Sequence, residues 1–314
     1  MTIEIDDLKE NDWDRGDAIF RTAFATFLGT DPVTMFGDSD LFRTRCRAGN
    51  TRVLAARRDG TLVGSNVLTR WGKLGWFGPL TVTPELWDQG VAKALMEATE
   101  RVFDEWGVSH RALFTFAQSG KHLGLYQRFG YWPGPLTPIL DRTVVAASPQ
   151  PPPGISLFSE RPESDQGALL REIRELGDGL LPGLDLTSEV ESARDQGIGE
   201  TVLLRDGSRL AGYGVCYLGP GGESRHHETY VKFAAVSPGS GREHRVRDLL
   251  SGLEWLGASR ESPEIGFGCN LSHRETYRAL VARGYRAAFV GVAMVSGPDT
   301  AYLRPELDVL DDWR

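Results

Sequence analysis

The residues with the clearest chemistry lie between Trp76 and Met96. The apolar run Trp76 to Val82 reads as a strand, and Pro84 ends it because proline cannot donate to a ladder. Val91, Leu95, Ala98, Val102 and Trp106 then recur at three- and four-residue steps, which predicts one face of a helix. Between strand and helix lies Asp88-Gln89-Gly90-Val91-Ala92-Lys93. The first turn of a helix carries N–H groups without acceptors and a partial positive charge, so it suits phosphate. Small residues at Gly90 and Ala92 let phosphate oxygens come close to the backbone, and Lys93 adds charge. Alone, this pattern also fits a plain strand–helix connection.

The elements that follow give the loop a context. A second strand, Ala112 to Ala117, comes after the helix, and a short helix then ends in Leu125-Tyr126-Gln127-Arg128-Phe129-Gly130-Tyr131. This order resembles the GCN5-related N-acetyltransferase (GNAT) family. That family's acetyl-CoA motif reads Val-x-Pro-x-x-Arg/Gln-x-x-Gly-x-Gly/Ala, matched here by Val82, Pro84, Gly90 and Ala92. Its Leu-Tyr-x-x-x-Gly-Phe/Tyr motif is matched by Leu125, Tyr126, Gly130 and Tyr131. Trp87 departs from the pattern, standing where Arg or Gln is usual.

The resemblance implies roles. Main-chain groups at Leu80 and Val82 would hold the pantetheine arm of acetyl-CoA, and an N–H there would polarise the thioester carbonyl. Backbone N–H groups from Asp88, Gln89, Gly90, Val91, Ala92 and Lys93 would hold the pyrophosphate. Ser119 takes the place of the family's frequent Asn and would hydrogen-bond the coenzyme with fewer donors. Tyr126 would protonate the departing thiolate, a general-acid role. No base is evident: the Trp76–Val82 strand has no carboxylate. His122, one turn before Tyr126, is a candidate base or a coenzyme contact. Asp38 and Asp40 would attract an amine, or else are merely solvated. Trp71, Trp76, Trp87 and Trp132 would crowd the functional edge as core packing, some of them lining an acceptor pocket.

Composition sets outer limits. A chain of 314 residues with 40% hydrophobic residues supports two packed domains of ordinary size. A formal charge of −8 argues against nucleic acid or an anionic membrane as the main partner, and no stretch is long and apolar enough to span a bilayer. The acidic start Met1 to Asp7 lacks the regions of a signal peptide, so a cytoplasmic location is the default. Cys46, Cys216 and Cys269 are scattered and read as buried small hydrophobes. His226-His227-Glu228 resembles a metal motif, but adjacent histidines on a strand point to opposite faces and no third ligand is suitably spaced. No metal is expected.

Read in order, the first half is a strand from Thr2 to Ile5, a helix carrying Ala18, Ile19, Ala23 and Phe27, a short helix at Leu41, and strands Thr51–Arg57 and Thr61–Thr69 around an Asp59-Gly60 hairpin signal. The strand–helix–strand–helix stretch above follows, and Pro135 to Val145 completes the sheet. A linker, residues 148–154, contains three consecutive prolines, which cannot pair as a central strand. The second half repeats the first: an offset of 154 carries Val82 to Val236, Pro84 to Pro238, Gly130 to Gly284 and Tyr131 to Tyr285. At that offset Gly90 becomes His244, Ala92 becomes Val246 and Tyr126 becomes Leu280, so the second copy lacks the working parts, unless Gly239 and Gly241 serve a shifted loop.

The expectation is therefore an α/β (α+β) protein of two tandem GNAT-like domains, residues 1–147 and 155–314, each a mixed, mostly antiparallel sheet flanked by helices. The first would bind one acetyl-CoA as co-substrate and acetylate a small-molecule amine. The second would pack against it and shape the acceptor site. The alternatives are an acyl-CoA-binding sensor without turnover, or an acyltransferase using another acyl-CoA or a peptide acceptor. A homodimer is one assembly left open.

Overall fold

Each half is built on the predicted periodicities. The first runs β1 (Ile3–Asp7), α1 (Trp13–Leu28), α2 (Leu41–Arg47), β2 (Thr51–Arg58), β3 (Thr61–Trp71), β4 (Leu74–Val82), α3 (Val91–Trp106), β5 (His110–Phe116), α4 (Gly120–Gln127) and β6 (Trp132–Thr143). The second runs β7 (Ile155–Leu157), α5 (Glu163–Leu180), α6 (Thr187–Asp195), β8 (Gly199–Asp206), β9 (Arg209–Leu218), β10 (Glu228–Val236), α7 (Arg242–Ser259), β11 (Glu264–Gly268), α8 (Arg274–Ala282) and β12 (Arg286–Ser296), and adds β13 (Val309–Leu310). The structure, a computed structural model, describes residues 3–145 and 148–313. Thr2 and the boundary at residue 147 lie outside the described residues.

Among the described residues, thirteen strands form one sheet in the order β1-β2-β3-β4-β5-β12-β6-β11-β10-β9-β8-β7, with β13 on β10. Most pairs are antiparallel; β4–β5 and β10–β11 are parallel, joined by the crossover helices α3 and α7. Each half ends in one strand, and the two strands cross at the centre. β12 of the second half lies between β5 and β6, while β6 of the first half lies between β12 and β11. The two copies therefore share one sheet, where the sequence predicts two sheets packed together. The reason is pairing: β5 and β11 each find their outer neighbour in the other copy.

Helices cover both faces. On one, α3 buries Val91, Leu95, Met96, Val102 and Phe103 against Phe77, Leu113, Tyr126, Val292 and Met294. On the other, Phe20 and Phe42 of α1 and α2 close over Val53 and Val67. A third core joins the copies, with Trp71, Trp76 and Ala293 among the side chains of α5, α6, β9 and β10.

Beside that core lies a buried charge cluster. Arg45 of α2 pairs with Glu189 of α6 at 2.9 Å and with Glu223, and Lys232 pairs with Glu223 at 3.2 Å. Glu189 also accepts hydrogen bonds from Trp71 Nε1 at 2.9 Å and Asn50 Nδ2 at 3.0 Å. All four charged side chains are at most 1% exposed. Two cations face two anions, so the cluster is neutral, and its members come from both copies. Breaking it would leave a charge buried without its partner.

Candidate active site

The site begins where two parallel strands separate. β4 and β5 pair from Leu74 opposite His110 to Phe77 opposite Leu113, and no further. On its other edge β4 shifts register against β3, from Leu68–Phe77 to Asn66–Leu80, so Gly78 and Pro79 form a bulge that bends the strand away. Thr83 N–H donates to Val63 O at 2.9 Å, which fixes which edge each residue uses. Thr81 shares the β3 edge, while Leu80 and Val82 turn their main-chain groups into the gap. Trp87, the departure from the motif, donates its indole N–H to Val82 O at 2.8 Å. Its role here is to tie the loop to the strand end.

That loop leads to the N-terminus of α3. Gly90 caps the helix with a left-handed φ of 86°, a conformation glycine adopts without strain, and a Cβ there would meet nothing within 4 Å. The first-turn N–H groups of Val91, Ala92 and Lys93 have no intrahelical acceptor. Gln89 is committed to the loop itself, bonding Glu85 O at 2.9 Å and Arg58 at 2.9 Å. Lys93 pairs with Glu97 at 3.4 Å and is exposed. Sequence reading missed Lys121: it pairs with Asp88 at 2.7 Å and stands 5.6 Å from the Trp87 ring, bringing a second cation to the loop. The available signal was its place at the start of the next helix.

α4 starts at the other side of the gap. Ser119 is its cap and accepts from His122 N–H at 3.3 Å, so its oxygen already has a structural use. Tyr126 is buried, its ring edge-on to Phe77 at 5.6 Å. Among the described residues its hydroxyl has no hydrogen-bond partner. Burial raises its pKa well above the usual range, so the phenol keeps its proton at neutral pH and can give it away. His122 is half-buried, and its Nδ1, shielded from solvent, has no hydrogen-bond partner among the described residues. Burial and then Lys121 lower its pKa, which keeps the imidazole neutral and able to accept a proton.

Several expected acceptor residues lie elsewhere. Trp71 and Trp76 are fully buried in the core between the copies, while Trp132 is 64% exposed at the start of β6. Asp40 pairs with Arg43 at 3.1 Å and so already has a cation, while Asp38, which is exposed, accepts the His226 N–H at 3.0 Å. His226 and His227 precede β10 in a turn rather than lying on the strand, and their rings come within 4.0 Å instead of pointing apart. Among the described residues no group of three or more His, Cys, Asp or Glu side chains is placed to hold a metal. None of the described helices is long and apolar enough to cross a membrane.

The second copy preserves the frame and closes it. Its helix cap is Gly241, with φ of 78°, so Gly241 and not His244 is the counterpart of Gly90. The connection is shorter, residues 237–241 against 83–90, which moves His244 into the first helical turn, so the match of Gly90 to His244 at one fixed offset does not hold. What closes the site is different. Arg245 Nε donates to Ser237 O at 3.1 Å and Nη1 to Ser240 O at 2.9 Å, clasping the loop around a side chain. The C-terminal tail fills the gap: Leu310 and Val309 pair with Ala234 and Ala235, and Val236 N–H donates to Asp308 O at 3.4 Å. Ala234 and Val236 are the counterparts of Leu80 and Val82. Asp311 N–H bonds Gly268 O on the facing strand at 2.9 Å, leaving a void of only about 10 Å³. Leu280, in the place of Tyr126, is fully buried.

Comparison with known proteins agrees with this geometry. The sequence profile of the Acetyltransferase (GNAT) family matches residues 17–131. No curated protein matches the chain in sequence. Among solved structures, one described as an acetyltransferase from Pyrococcus horikoshii is 14% identical, with 99% of this chain and 95% of that one covered and a TM-score of 0.70. A GCN5-related N-acetyltransferase from Sphaerobacter thermophilus is 15% identical, covers 98% and 97%, and has a TM-score of 0.59. A tandem GNAT protein from the clavulanic acid biosynthesis pathway is 16% identical, with coverage of 95% and 100% and a TM-score of 0.55. At these identities the likeness is one of fold.

Proposed function

We propose, for a chain that belongs through residues 17–131 to the acetyltransferase (GNAT) family, that it transfers an acetyl group from acetyl-CoA to the amine of a small molecule at the gap between β4 and β5. The observation that carries this reading is the contrast between the copies. The Leu80 main chain and the Val82 N–H face a gap that no described strand fills, with Val82 O held by the Trp87 indole, whereas their counterparts Ala234 and Val236 are paired with the tail. An unpaired strand edge that ends at a glycine-capped helix fits an extended arm with a pyrophosphate at its end.

Acetyl-CoA would bring an acyl thioester, and the chain would supply the groups that move protons. The His122 imidazole takes the proton from the amine as the amine nitrogen attacks the carbonyl carbon. The N–C bond forms, and the N–H of Leu80 or Val82 stabilises the oxygen that gains charge. The C–S bond breaks, and the Tyr126 hydroxyl gives its proton to the sulfur. One coenzyme binds per chain, in the first copy.

The test is calorimetry of acetyl-CoA binding together with amine-dependent release of free thiol. Binding and release that both fail in Gly90→Glu are expected. Binding without amine-dependent release would favour the sensor reading, and normal binding by Gly90→Glu would refute the site.

A further inference from the structure

The side of the gap that faces α1 is a wall of half-buried rings. Phe27 of α1 lies 4.6 Å from Phe116 of β5, and Phe24 lies 5.9 Å from it. Phe289 of β12 meets Phe116 at 5.5 Å and Phe114 at 6.1 Å. His122 closes the wall, 4.9 Å from Phe27 and 5.9 Å from Phe116. A contiguous patch of partly exposed aromatic rings on a soluble face marks a binding site. Gly291 supports it: a Cβ at that position would stand 2.2 Å from the Phe114 ring, so glycine is what lets this ring lie flat over β12. Phe289 and Gly291 belong to the second copy, which thereby builds part of the first copy's acceptor side.

Asp17 pairs with Arg21 at 2.9 Å, and Asp31 accepts the Val33 N–H at 2.9 Å. Asp40 is paired with Arg43, while Asp31 and Asp38 lie at the exposed surface of the α1–α2 connection, each holding a main-chain N–H. Against the rings themselves a polycation or a sugar amine would lose hydration without gaining hydrogen-bond partners. An aromatic body would gain ring contacts instead.

We infer that the acceptor is a primary amine on an arylalkyl body, its ring against Phe27, Phe116 and Phe289 and its nitrogen toward His122. This rests on the acetyl-transfer reading and specifies its substrate class. His122 joins the two, because its ring belongs to the wall and stands one helical turn from Tyr126.

The experiment uses the full chain with acetyl-CoA and compares phenethylamine, spermidine and glucosamine by thiol release. The expected kcat/KM for phenethylamine exceeds those of the other two by about tenfold or more. Phe27→Ala and Phe289→Ala should each raise the phenethylamine KM about tenfold while the calorimetric Kd for coenzyme changes far less. Phe27→Leu, which keeps apolar bulk, should fall between them, and normal coenzyme binding shows that each variant is folded. Equal or better turnover of spermidine or glucosamine would overturn the inference, as would an unmoved KM in folded Phe27→Ala. If no amine turns over, titration of phenethylamine into the coenzyme-loaded chain decides, and absence of saturable binding overturns it. Failure to bind coenzyme at all refutes instead the acetyl-transfer reading beneath it.

Discussion

Leu310 stands in register with Ala234, on the strand edge that the first copy leaves open at Leu80. The two gaps come from one design, with a parallel pair that separates and a glycine cap beyond it. In one copy the chain's own tail occupies the space. The tail carries three buried carboxylates: Asp308 bonds Thr276, Asp312 bonds Tyr230 at 2.9 Å, and Asp311 bonds Tyr302.

Asp311 makes the tail pH-sensitive. Burial, and then its neighbour Asp312, push its pKa from 3.8 up to about 7. A raised acid favours the protonated folded form, so the contribution of this group is greatest below pH 3.8, declines as pH rises toward 7, and stays at its low value above. Asp311→Asn should flatten that part of the stability profile. Urea unfolding at several pH values checks it, and a variant profile parallel to the wild type would contradict the assignment.

Tyr126→Phe should lower kcat by about 10²–10⁴-fold and leave coenzyme affinity nearly unchanged, because in the proposed mechanism the hydroxyl acts on the leaving sulfur and has no structural bond to lose. Single-turnover kinetics at saturating coenzyme measure it. An unaltered chemical step would remove Tyr126 from the mechanism.

In the proposed mechanism His122 sets the acid limb of the rate profile. Its pKa is lowered by burial and then by Lys121, so the neutral base persists below the usual histidine range, and activity is lost as pH falls through that lowered value. His122→Gln should reduce kcat and abolish this limb. A limb at the same position in the variant would assign it to another group.

Glu189 holds the copies together. Burial alone would raise its pKa, but Arg45 and then Lys232 outweigh that and lower it to about 2. Its contribution is therefore complete above pH 4.5 and lost as pH falls toward 2. Glu189→Ala should cost about 3–5 kcal/mol, since Arg45 and Lys232 then share one anion in the interior. Chemical denaturation measures it; a loss below about 1 kcal/mol would show the cluster to be replaceable.

Much of this site was legible because its chemistry is local. Val82, Pro84, Gly90 and Tyr126 lie within one strand–helix–strand–helix stretch, where periodicity and glycine placement decide the structure. The exchange of β6 and β12 was not, because the apolar pattern of Trp132–Thr143 is the same whichever strand lies beside it. The helix cap at Gly241 was misread because one offset was carried across connections of unequal length. Trp71 and Trp76 were placed at the edge because their partners, Phe233 and Lys232, are far away in the chain. The tail offered no periodicity to read, being short and rich in Asp and Pro.

The central claim is one coenzyme per chain, held in the first copy because the tail closes the second. Isothermal titration of the full chain with acetyl-CoA tests it most directly, run beside Gly90→Glu. A stoichiometry near one, abolished by that substitution, is expected. A stoichiometry near two, or undiminished binding by Gly90→Glu, would contradict it.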